Sequence, residues 1–176
     1  MSYPAPLRDL LMGLACRSLF QARWSEQILD ECFRSILKQR PDLDSASLAR
    51  TKQVINNAVP SALVKGHERF TAAVELPDPD DRHVVAAAVK SGAQLIVTFN
   101  LRDFSSEVLH ELQIEAQHPD DFVLNLIDLA SGAVFDVVRE QAARLKNPPK
   151  TVSEVLDTLR AQGLVQSVAK LRELLA

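Results

Sequence analysis

Four side chains with oxygen donors, Glu31, Asp81, Asn100 and Asp103, stand out in this 176-residue chain as groups whose types and spacing could do chemistry. Asn100 and Asp103 lie three residues apart, just after the apolar run Leu95-Ile96-Val97. Asp81 opens the helical pattern that leads into that run, and Glu31 stands at the edge of an earlier apolar stripe. Oxygen ligands without His or Cys suit Mg²⁺ or Mn²⁺, which take a few carboxylates and keep several waters. An ion held in that way can turn a water into a nucleophile against a phosphodiester and steady the leaving oxygen. The signatures of other chemistries are missing: the sequence has no glycine-rich phosphate loop, GxSxG elbow, HExxH or paired CxxC.

Each of the four also has a plainer reading. Asp80 and Asp81 suit the first turn of a helix, where carboxylates offset orphan N–H groups and the helix dipole. Asp103 fits a turn or an N-cap, Asn100 a turn that tolerates a left-handed backbone, and Glu31 a solvated helix face. Spacing alone therefore gives a soluble α/β domain with an acidic edge.

The elements that would position these groups are compressed into Leu76–Phe104. Asp78 is a good N-cap, Pro79 suits the first helical position, Val84, Val85, Ala88 and Val89 recur at helical spacing, and Gly92 is a plausible stop. Leu95-Ile96-Val97 is a β-branched run of the kind a buried strand shows, so Asn100 and Asp103 fall past its C-terminal end, where open parallel sheets keep their ligand sites. Before this stretch, the spacing predicts a helix from Leu7 to near Leu19. Ser25 caps a second helix that Pro41 ends, and Asp44 caps a third. His67 reads as an exposed loop residue and Thr71–Leu76 as a short strand. After it come a short helix from Ser105, a brief strand at Ile114–Ala116 and helices over Pro119–Leu129 and Ala133–Lys146. Thr151 with Glu154 is a capping box that opens a last helical pair broken at Gly163.

Composition bounds the class. At 47% hydrophobic and 24% charged residues the chain is ordinary for a globular protein, and no stretch approaches the roughly 20 apolar residues a spanning helix needs. The N-terminal residues lack a secretory pattern, and the only cysteines, Cys16 and Cys32, sit in apolar helical patterns as small buried hydrophobes, which points to a reducing cytoplasm and no membrane. Residues 1–70 carry ten Lys/Arg against seven Asp/Glu, and residues 71–176 carry ten against sixteen. The first part could face a polyanion, and an acidic pocket in the second would need a cation to hold one there.

The run Asp81-Arg82-His83-Val84-Val85-Ala86-Ala87-Ala88, followed by Gly92-Ala93, Leu95-Ile96-Val97-Thr98, Asn100 and Asp103-Phe104, closely resembles the second half of PIN domains, the fold of VapC-type toxin ribonucleases. Trp24–Glu31 resembles the family's second acidic motif, and the likeness runs from about Tyr3 to Leu129. The resemblance implies a PIN-like three-layer α/β/α fold with a short parallel sheet over residues 1–130 and a C-terminal helical extension over 131–176. It further implies a catalytic set of Glu31, Asp81, Asp103 and Asn100, with Glu31, Asp81 and Asp103 holding Mg²⁺ or Mn²⁺ for RNA cleavage. The partners implied are an RNA substrate, a cognate antitoxin protein and a second copy in a homodimer.

One departure tempers this. PIN domains open with a hydrophobic strand ending in Asp, ahead of the segment matched here by Tyr3–Leu7, and this sequence shows neither; Asp9 lies on the first helix and does not replace it. The resemblance therefore carries two expectations: a metal-dependent endoribonuclease impaired by N-terminal shortening, or a non-catalytic PIN-like module that binds an antitoxin or RNA.

Overall fold

The computed structural model describes residues 3–39, 42 and 44–174. Its elements run α1 (Ala5–Cys16), α2 (Glu26–Gln39), α3 (Ser45–Ala58), α4 (Glu68–Thr71), α5 (Arg82–Ser91), β1 (Leu95–Val97), α6 (Ser106–Glu111), β2 (Glu115–Gln117), α7 (Pro119–Arg144), α8 (Val152–Ala161) and α9 (Val165–Glu173). Short 3-10 turns at Pro79–Asp81 and Leu101–Asp103 precede α5 and follow β1. The chain divides into two compact units. One spans Gln21–His118; the other joins Tyr3–Phe20 to the chain from Pro119 onward.

The first unit is the α/β part. β1 and β2 pair in parallel, Leu95 opposite Glu115, Ile96 opposite Ala116 and Val97 opposite Gln117, and Thr98 N–H donates to Gln117 C=O to carry the pairing one residue further. Behind the sheet, Val84, Val85 and Ala88 of α5 pack with Ile96, Phe104, Leu109, Ile114, Val74 and Leu76 in one apolar core. The helical spacing of the α5 residues is what delivers them to that core, and burying each stabilises the unit by about 1–3 kcal/mol. Gly92 ends α5 with φ +67°, a left-handed conformation that glycine takes without a Cβ penalty, and this turns the chain into β1.

Most local signals are borne out. Asp78 accepts from Asp80 N–H, Ser25 Oγ from Ile28 N–H, and Asp44 from Ala46 and Ser47 N–H, as N-caps do. Pro41, expected to end the second helix, lies outside the described residues. Three expectations are corrected. Thr71–Leu76 is no strand: α4 ends at Thr71, a turn follows, and Val74 and Leu76 are drawn into the core by their apolar side chains rather than by a ladder. His67, which precedes α4, is buried at 4% exposure instead of lying in an open loop. Cys16 ends α1 on its exposed side, and Cys32 alone is a buried hydrophobe.

The second unit is helical. Leu7, Leu10 and Leu14 of α1 are fully buried in it, and Val134, Val137 and Val138 of α7 are at most 1% exposed. α1 and α7 approach closely at Gly13, where a Cβ would sit 2.5 Å from Val137 Cγ1. Within α7, Ala130 has φ −152° and ψ 59°, so the helix is two segments meeting at a kink where the sequence pattern placed a break. Thr151 and Glu154 form the expected capping box at the start of α8. Asp120, buried in the first turn of α7, accepts from Gln166 N–H at 2.8 Å and Ser167 N–H at 2.9 Å, and so satisfies orphan donors of α9. No helix among the described residues is long and apolar enough to cross a membrane.

Candidate metal centre

Asp81 ends the 3-10 turn that feeds α5, and Asp103 ends the 3-10 turn that follows β1. Both turns lie at the C-terminal end of the strand, because the chain reverses at Gly92 to run β1 alongside the core and back out. The result brings carboxylate oxygens of Asp78, Asp81 and Asp103 within 4.8 Å of one another, all half-buried. The sequence pattern marks Asp78 only as a helix cap. It does cap, since its Oδ1 accepts from Asp80 N–H at 2.9 Å, yet it also contributes an oxygen to the cluster. The signal available for it was its place three residues before Asp81, one 3-10 turn away.

Asn100 stands at the edge of this cluster. Its Nδ2 donates to Asp103 Oδ2, clasping the Leu101–Asp103 turn, and its own N–H donates to Thr98 Oγ1 at 3.1 Å. Its backbone has φ −102°, so it occupies the turn without using the left-handed region that Asn tolerates. Ser105, not Asp103, occupies the N-cap position of α6, which leaves the Asp103 carboxylate to Asn100 and the cluster.

Glu31 is placed differently. Its Oε2 lies 3.0 Å from Nε2 of His83, a residue 4% exposed on the first turn of α5, and its Oε1 accepts from Gln27 Nε2 at 3.2 Å. Arg34 completes the surroundings at 3.8 Å. The acid on α2 thus reaches α5 through His83, and it is not among the carboxylates that gather within 4.8 Å.

Among the described residues, no Lys or Arg forms an ion pair with Asp78, Asp81 or Asp103. The electrostatic consequence falls on Asp81. Partial burial is the largest cause and pushes its carboxyl pKa up; nearby positive charge, His83 included, opposes this without reversing it, and the charges of Asp103 and Asp78 add to the rise. Like charges held this close are stabilised by a cation, and a donor set of carboxylate oxygens with an amide nearby fits a hard divalent ion such as Mg²⁺ or Mn²⁺.

Residues 2–102 match the PIN domain family, and residues 119–173 match the family described as VapC50 C-terminal domain. The chain belongs to the PIN domain family. It is 39% identical over 118 residues to the "Putative ribonuclease VapC50" of Mycobacterium tuberculosis strain H37Rv, covering 67% of this chain and 69% of that protein. No solved structure matches the chain significantly. The expected likeness to PIN domains and the α/β class with its short parallel sheet are borne out, and the C-terminal helices are present.

Proposed function

We propose that this PIN-family chain is a divalent-metal-dependent endoribonuclease of the VapC toxin type, which hydrolyses RNA phosphodiester bonds. The observation that carries the reading is the meeting of Asp78, Asp81 and Asp103 within 4.8 Å at the C-terminal end of β1, with no Lys or Arg ion pair to them among the described residues. The relationship to a protein named as a ribonuclease supports the choice of RNA. In this reading Asp81 and Asp103 hold Mg²⁺ or Mn²⁺, Asp78 adds a third carboxylate, and the Asn100 amide fixes the orientation of Asp103. When bound, the ion supplies Lewis-acid activation of water and stabilisation of charge on the phosphodiester. Glu31, tethered to His83, sets the negative potential on the α2 side of the site. A cognate antitoxin would be the natural protein partner of such an enzyme.

The test is cleavage of single-stranded RNA by the full chain. Hydrolysis should vanish in EDTA and return when Mn²⁺ or Mg²⁺ is added in excess; undiminished cleavage in EDTA would contradict metal dependence. A second reading, a non-catalytic module that binds an antitoxin or RNA, draws support from the engagement of Glu31 with His83, which leaves three carboxylates at the cluster. It requires RNA or antitoxin binding with no cleavage in any divalent ion.

A further inference from the structure

Phe99 and His118 lie just past the C-terminal ends of β1 and β2, whose last paired residues are Val97 and Gln117. Their rings meet edge-to-face, with centroids 5.2 Å apart and planes at 78°. Phe99 is 38% exposed, whereas Thr98 before it is 2% exposed, so the chain passes in one step from a buried strand to a large aromatic presented to solvent. The next residue is Asn100, clasped to Asp103 of the carboxylate cluster. On the turn between them sits Arg102, exposed and without an ion pair or hydrogen bond among the described residues, although carboxylates are its near neighbours in sequence.

An exposed aromatic ring and an uncommitted guanidinium three residues apart match the two halves of a nucleotide. Bases of any identity stack on an aromatic face, and a guanidinium pairs with phosphate oxygens through parallel N–H donors. The ribose-phosphate chain of a single strand would otherwise be repelled by three carboxylates. We propose that Phe99, braced by His118, and Arg102 form a subsite of the RNA strand at this centre, the ring stacking on a base and the guanidinium taking an adjacent phosphate. The proposal rests on the ribonuclease reading and names how its substrate is gripped.

The experiment measures binding separately from cleavage. A fluorescein-labelled single-stranded oligoribonucleotide is titrated with the full chain carrying Asp81→Asn, and anisotropy gives Kd. Adding Phe99→Leu should weaken binding about tenfold, while Phe99→Trp should hold it near the parent value. Arg102→Gln should weaken binding and reduce the dependence of log Kd on log salt by about one. Equal affinity in the Phe99→Leu and parent proteins would overturn the proposal, whatever that change does to association with a protein partner. So would an absence of RNA binding by the parent. Failure of the ribonuclease reading shows up separately, as RNA binding that depends on Phe99 in a chain that, unsubstituted, cuts no RNA in any divalent ion.

Discussion

Glu31 Oε2 lies 3.0 Å from Nε2 of His83, a contact that spans 52 residues of sequence and ties α2 to the first turn of α5. A buried imidazole that keeps one ring nitrogen on a carboxylate locks both the ring and the acid. In a double-mutant cycle of Glu31→Ala and His83→Ala, the two changes should be non-additive by about 1 kcal/mol in denaturant unfolding. Additive losses would show that the contact does not couple the helices.

Asp78 has two roles that can be separated. Asp78→Asn keeps an oxygen for Asp80 N–H but removes the charge from the cluster, so stability should hold while Mn²⁺ affinity, measured by calorimetry, falls about tenfold. Asp80→Asn is the control. Asp80 is exposed and outside the cluster, and its substitution should change Mn²⁺ affinity by no more than about twofold.

The raised Asp81 pKa has a defined consequence for the metal-free protein. A carboxyl that binds its proton more tightly when folded gives the native state more protons than the unfolded chain, in the window between the ordinary Asp value and the raised one. Stability therefore falls as pH rises through that window and recovers when a cation replaces the proton. Thermal unfolding in EDTA should show Tm declining as pH rises from acidic to neutral. Asp81→Asn should flatten that slope, and saturating Mn²⁺ should reverse it.

In the helical unit, Asp120 carries the start of α9 on its two oxygens. Asp120→Ala leaves two backbone N–H groups without their acceptor and should cost about 2–4 kcal/mol in denaturant unfolding. Asp120→Asn retains one acceptor and should cost less. If the two variants were equally stable, the carboxylate would not be what holds this helix end.

The parts of the fold that were legible in the sequence are those set by neighbours in the chain. Asp78, Ser25, Asp44 and Thr151 cap the helices they precede, Gly92 stops α5, and Leu95–Val97 is β1. These features depend on side-chain-to-backbone bonds or backbone freedom within a few residues. What was not legible depends on packing across the chain. Val74 and Leu76 are buried by α5 and β1 without forming a strand, and His67 is buried beside them in sequence although its local surroundings are polar. The candidate site divides along the same line. Asn100 and Asp103 follow β1 and could be placed from it, whereas the attachment of Glu31 to His83 and the double role of Asp78 required the tertiary arrangement of two turns and a helix.

The most direct test of the carboxylate centre is the rate of RNA cleavage in Mn²⁺ by Asp81→Asn, Asp103→Asn and Asp80→Asn, each compared with the unsubstituted chain. If Asp81 and Asp103 hold the ion, either substitution should lower the rate by about a hundredfold or more, while Asp80→Asn cuts at the parental rate. Parental cleavage by the Asp81→Asn and Asp103→Asn proteins would contradict the assignment.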